Sequence, residues 1–164
     1  MNPQIQKQCL ALAASLLEHQ QCIASAESCT GGMIAASCTD LSGSSAWFER
    51  GFVTYSNDAK TDMLGVPAAL IHQHGAVSEE VAKAMALGAL AQSKADFSVA
   101  VTGIAGPTGG SEAKPVGTVW LAWAEKQSGQ CLSMLKIFPG DRMAVREATT
   151  EFALAQLNLM VGQP

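Results

Sequence analysis

A serine can open an acyl group if a base takes its proton and amides meet the oxygen on which charge develops. Glu27-Ser28-Cys29-Thr30-Gly31-Gly32 has the residue types for such a turn. A short apolar run, Cys22 to Ala26, precedes it, and a helical stretch, Met33 to Cys38, follows. Backbone N–H groups converge where a strand turns into a helix, and there they can hold an anion or an oxyanion. Gly31 and Gly32 lack side chains, so a substrate can come close. Two other readings stand beside this one. Ser28 or Thr30 can serve only as a helix cap. Cys29 is a rival nucleophile, although Cys is among the most buried residue types. None of His19, His72 and His74 forms a recognisable pair with it.

A serine nucleophile needs a base, and no histidine is well placed by sequence. Tyr55 and Lys60 lie five residues apart, at a strand end and in the short helix after it. A lysine can act as base if partial desolvation brings its pKa from ~10.4 toward ~7–8. A tyrosine hydroxyl can bond both groups and pass a proton. The competing reading of Lys60 is an exposed helix residue.

A third segment, Thr102-Gly103-Ile104-Ala105-Gly106-Pro107-Thr108-Gly109-Gly110-Ser111, follows an apolar strand and can aim amides at a phosphate. It lacks the Gly-Lys-Ser/Thr ending of a P-loop and the spacing of a dinucleotide fingerprint. Ligands favour the carboxyl ends of strands in α/β sheets, so contact through Gly103, Ala105 and Gly106 is expected. A flexible surface loop is the alternative. Arg142 and Arg146 share one face at the start of the last helix. Cations are unfavourable at that end of a helix. They answer either an anionic substrate or nearby Glu147 and Glu151. His72-Gln73-His74 has no third ligand close by, and no metal is expected.

These residues need a scaffold, and 164 residues suit one domain over 1–164. Hydrophobic residues make up 48% and charged ones 15%, which excludes a disordered chain. The net charge is −4 and no basic run exists, which argues against nucleic-acid binding. Five cysteines without CxxC spacing fit free thiols and a cytoplasmic setting. No apolar run approaches the ~18–20 residues of a membrane span, and Cys9 to Leu17 reads as an amphipathic helix rather than a leader.

Helical spacing runs from Pro3 to about His19, and strands are expected at Cys22–Ala26 and across Ala46–Tyr55. Ser56-Asn57-Asp58 opens a helix to Leu64, Pro67 to about His74 forms another, and Ser78 caps one to about Ser93. Asp96–Val101 is a strand, and Val116–Ala124 with Cys131–Phe138 reads as a hairpin. Asp141 caps a last helix with a buried stripe of Val145, Ala148, Phe152, Ala155 and Leu159. The expected fold is α/β: a three-layer α/β/α sandwich on a mixed sheet.

Together the segments resemble a known family. Ala26-Glu27-Ser28-Cys29-Thr30-Gly31-Gly32, Gly43-Ser44-Ser45-Ala46-Trp47-Phe48 and Gly51-Phe52-Val53-Thr54-Tyr55-Ser56-Asn57 are similar to its motifs. So are Gly75-Ala76-Val77-Ser78, Thr102-Gly103-Ile104-Ala105-Gly106-Pro107, Lys114-Pro115-Val116-Gly117-Thr118-Val119 and Gly140-Asp141-Arg142, in this order. The family is that of the CinA C-terminal domain. The resemblance implies an amidohydrolase that converts nicotinamide mononucleotide to nicotinate mononucleotide and ammonia. It implies Ser28 as nucleophile with Tyr55 and Lys60 as partners, and Ser45, Thr102 and Arg142 near the substrate beside Thr30, Gly31 and Gly32. It further implies a homodimer, no metal and no cofactor. A non-catalytic nucleotide-binding or regulatory module with the same pocket is the alternative.

Overall fold

Pro3 in the first turn and the Asn2 side chain, which accepts from the Gln4 amide at 2.9 Å, start the first helix, α1 (Pro3–His19). The computed structural model describes residues 2–161. After α1 come β1 (Ile23–Glu27), α2 (Met33–Thr39), a 3₁₀ turn (Ser44–Ala46), β2 (Phe48–Val53), α3 (Asn57–Leu64) and α4 (Ala68–His74). Then follow α5 (Glu79–Ala91), β3 (Phe97–Gly103), β4 (Thr118–Glu125), β5 (Cys131–Ile137) and α6 (Arg142–Val161). No helix among the described residues is long and apolar enough to cross a membrane.

The five strands lie in the order β2-β1-β3-β4-β5. β1 is parallel to β2 and β3, with Glu27 level with Val53 and Val101. β4 is antiparallel to β3 and β5. The expected mixed sheet in three layers is what forms. Ile23, Val99, Val101, Val119, Leu121 and Trp123 face α1, α2 and α6. Ala24, Ala26, Ala100, Ala122 and Ala124 face the α3–α5 side, where Val81, Met85, Ala86 and Ala89 pack against them. That alanine surface lets α5 lie close to the sheet. α5 also meets α3 closely: a Cβ at Gly88 would stand 2.2 Å from the Leu64 carbonyl.

Three expectations shift. Ala46 belongs to the 3₁₀ turn, so β2 opens only at Phe48. β3 continues through Thr102 and Gly103, because both pair with β4. In α6 the buried face is Val145, Thr149, Ala153 and Leu157 with Thr150, Leu154 and Val161, while Leu159 is 60% exposed. Thr149 and Thr150 tolerate burial because their hydroxyls bond the carbonyls of Val145 and Arg146, one turn back. Phe152 instead sits at the rim, edge-on to Trp123 and Phe138 with Lys136 over its ring.

Candidate active site

Ser28 follows the last residue of β1. Its amide donates to Val101 O at 3.0 Å, and the Thr54 amide donates to Glu27 O at 2.8 Å. The serine therefore sits between the ends of β2 and β3, with 9% of its surface exposed. The turn that follows is built on the buried carboxylate of Glu27. Its Oε2 accepts from Thr30 Oγ1 at 2.6 Å, from the Gly32 amide at 3.1 Å and from the Ile34 amide at 3.0 Å. Its Oε1 accepts from the Ala35 amide at 2.8 Å. An anion that satisfies the open amides of a helix start fixes the path of the chain into it. Gly31 and Gly32 supply the positive φ values, 59° and 96°, that the turn requires.

The amides of the turn divide into two groups. Ser28 N is bonded to Val101 O, Gly31 N to Ser28 O at 3.0 Å, and Gly32 N to Glu27. Among the described residues no other residue accepts from Cys29 N or Thr30 N, and Cys29 N has only its own thiol beside it. Two adjacent free N–H groups beside a serine hydroxyl are the donor pair that an oxyanion requires.

Lys60 approaches Ser28 from α3. Ser56 caps that helix through its Oγ, which accepts from the Ala59 amide at 3.0 Å, and Lys60 and Leu64 face inward one turn apart. The lysine is 1% exposed. Nζ lies 3.1 Å from Ser28 Oγ, 2.9 Å from the Thr54 carbonyl and 3.5 Å from the Tyr55 carbonyl. No carboxylate lies within 4 Å of it among the described residues. Burying an ammonium without a counter-charge disfavours it, and this desolvation lowers the Lys60 pKa. An amine that has lost its proton there can keep N–H bonds on the two carbonyls and offer its lone pair to Ser28 Oγ. The exposed-residue reading of Lys60 fails here.

Tyr55 lies elsewhere than between Ser28 and Lys60. Its side chain is 62% exposed, and its hydroxyl accepts from Arg142 Nη2 at 3.1 Å. Arg142 Nη1 donates to Gly106 O at 2.8 Å, so the start of α6 grips both the β2 end and the Gly-rich loop. A cleft of about 510 Å³, lined in part by Ala105, Pro107, Val116, Arg142 and Met143, opens there. A larger one of about 780 Å³ lies away from these residues, between His19, Trp123, Gln130 and Met160.

Other residues of interest make contacts within the chain. The Thr102 hydroxyl donates to Ala76 O at 2.8 Å, and that of Thr30 to Glu27. A Cβ at Gly103 would be 2.7 Å from Thr118 O, and one at Gly106 would be 2.4 Å from Val116 Cγ1. Ala105 is buried in the core. Ser45 is exposed and precedes β2, at the opposite end of the parallel strands from Ser28. Within one chain the two do not meet. Cys29 is buried, and that burial pushes its thiol up to about 12, which keeps it protonated and a poor nucleophile. His72 and His74 close α4, and His74 Nδ1 lies 3.4 Å from Glu80 Oε1.

Sequence reasoning singles out neither Glu27 as the brace of the turn nor Arg146 as a support of it. Arg146 Nη2 donates to the Thr30 carbonyl at 2.7 Å. For Glu27 a signal was present: an acid five residues before a Gly that starts a helix suits the positive end of the dipole.

The CinA C-terminal domain model matches residues 5–161. Nicotinamide-nucleotide amidohydrolase PncC of Escherichia coli K12 is 56% identical over 135 residues, 82% of this chain and 81% of that protein. The protein of the same name from Pseudomonas putida is 58% identical over 132 residues, 80% of this chain and 81% of its own. The crystal structure of competence/damage inducible protein CihA from Agrobacterium tumefaciens superposes with a TM-score of 0.95 at 44% identity, covering 99% of this chain and 98% of that one. Fold and sequence agree, and the chain belongs to the CinA C-terminal domain family.

Proposed function

We propose that this chain hydrolyses the carboxamide of nicotinamide mononucleotide, giving nicotinate mononucleotide and ammonia. The observation that carries the reading is Lys60 Nζ, buried with no carboxylate within 4 Å among the described residues and 3.1 Å from Ser28 Oγ. The names of the PncC relatives support the choice of substrate.

The neutral Lys60 amine takes the Ser28 proton as Oγ bonds to the amide carbon. The carbonyl oxygen becomes an oxyanion, held by the amides of Cys29 and Thr30. The tetrahedral centre collapses, the C–N bond breaks, and Lys60 returns its proton to the leaving nitrogen as ammonia departs. Water then attacks the acyl-serine. Lys60 takes the proton of that water and hands it to Oγ, which restores the hydroxyl. The pyridinium ring draws electrons from the carbonyl and eases both attacks. Arg142, at the exposed end of the site with the Tyr55 hydroxyl, suits the phosphate, because a guanidinium binds phosphate oxygens two at a time. Tyr55 thus supports the site from the substrate side as well as through its carbonyl on Lys60.

The test is ammonia release from nicotinamide mononucleotide by the pure protein, beside Ser28→Ala and Cys29→Ala. Release by the wild type and by Cys29→Ala, and none by Ser28→Ala, is expected. Binding without release by the wild type would favour the regulatory module.

A further inference from the structure

Arg146 sits one turn into α6. The bond from its Nη2 to the Thr30 carbonyl, 2.7 Å long, crosses from the last helix to the first turn of the site. Its Nε is buried and has no partner among the described residues. No carboxylate lies within 4 Å of it among the described residues. A Cβ at Gly31 would be 3.6 Å from Nη2, so the guanidinium lies against the bare backbone of the turn.

This is a poor arrangement for stability. A buried donor without an acceptor is costly, and an apolar side chain of similar length would avoid the cost. What the guanidinium does achieve is local. Glu27 holds the Thr30 hydroxyl from one side of the turn, and Arg146 holds the Thr30 carbonyl from the other. The same carbonyl also accepts from the Met33 amide at 3.3 Å. Holding the hydroxyl and the carbonyl of Thr30 fixes its Cα, and so places the nitrogen attached to it at the end of the Cys29–Thr30 peptide. That N–H and its neighbour on Cys29 are the two amides of the turn with no acceptor from another residue among the described residues.

We propose that Arg146 is a positioning residue: through the Thr30 carbonyl it aims the Cys29 and Thr30 amides at the oxygen that becomes anionic when Ser28 attacks. The inference rests on the amidohydrolase reading. It assigns Arg146 to the transition state, not to the bound substrate.

Arg146→Met and Arg146→Lys in the full chain test it, by steady-state ammonia release and thermal unfolding beside the wild type. Arg146→Met should keep or raise the melting temperature and leave KM within about threefold. Its kcat should fall about 100-fold, the size of effect seen when an oxyanion donor is lost. Arg146→Lys should regain about a tenth of the wild-type rate, because one amine N–H can still reach the carbonyl. Unchanged kcat in Arg146→Met overturns the proposal, and so does a rise in KM alone. If Arg146→Met does not fold, Arg146→Gln decides by the same split between kcat and KM. A wild type that releases no ammonia is a different failure: it sinks the amidohydrolase reading and takes this inference with it.

Discussion

Lys60 reaches the serine from a position that an apolar side chain would occupy in an ordinary helix. Its inward neighbour one turn on is Leu64, and both are buried. The amine has only neutral partners, two carbonyls and one hydroxyl. With its pKa lowered by burial, the group is base-competent above that pKa and protonated below it. The rate should therefore fall as pH drops through the pKa of the folded state. Stability follows the same direction. Between the folded and unfolded pKa the unfolded chain binds more protons, so unfolding becomes harder as pH rises through that window. Lys60→Met removes both effects. We expect it to lose nearly all ammonia release and to gain about 1 kcal/mol or more of stability near neutral pH. That is about 2–4 °C in Tm for each kcal/mol at this size. Lys60→Arg should stay inactive, since Arg holds its proton. A Lys60→Met protein with lower Tm and a flat pH dependence of the wild type would contradict a buried neutral amine.

Elements decide whether these side chains meet, and α3 depends on α5. Gly88 lies inside α5, where glycine weakens a helix by roughly 0.5–1 kcal/mol relative to alanine. It is there because the Leu64 carbonyl comes within 2.2 Å of where a Cβ would be. Gly88→Ala should thus reverse the usual sign of a Gly-to-Ala change in a helix. We expect a loss of about 1–3 kcal/mol by urea unfolding. Because α3 must move, the rate should also fall while Ser28 and Lys60 are intact. A more stable, fully active variant would show that α3 yields without disturbing Lys60. The same scale explains how much could be read beforehand. Ser28 and Lys60 were legible because their residue types are chemical and their segments carry turn and cap signals. Glu27 and Arg146 act through backbone groups, and Arg146 meets Thr30 only once α6 is folded against α2. Spacing cannot reveal such a bond. Threonine looks polar in sequence, so periodicity alone puts the buried face of α6 one residue away from Thr149 and Ala153. Ser45 carries the right residue type, but β2 separates it from Ser28 by the length of the strand.

The whole sheet gathers the site at one edge. β1, β2 and β3 run parallel, so their carboxyl ends lie together, where ligands of α/β sheets usually bind. The reversal at β4 and β5 returns the chain to that edge, from which α6 starts with Arg142. Charge is distributed unevenly around this frame. The chain carries a net −4, yet Lys114, Arg142 and Arg146 have no carboxylate within 4 Å among the described residues. Lys114 Nζ donates to Val77 O at 2.7 Å, beside the Thr102–Ala76 bond. Cations left unpaired at one end of an acidic protein draw an anionic ligand there, and salt screens that attraction. Raising ionic strength from about 0.1 M to about 1 M shortens the screening length from ~10 Å to ~3 Å. KM for nicotinamide mononucleotide should then rise several-fold, while kcat, set by the buried Ser28–Lys60 pair, stays constant. The nucleoside without its phosphate should show no such rise. If both substrates respond alike, the cations at this edge serve the fold rather than the phosphate, and Arg142 loses its assigned role.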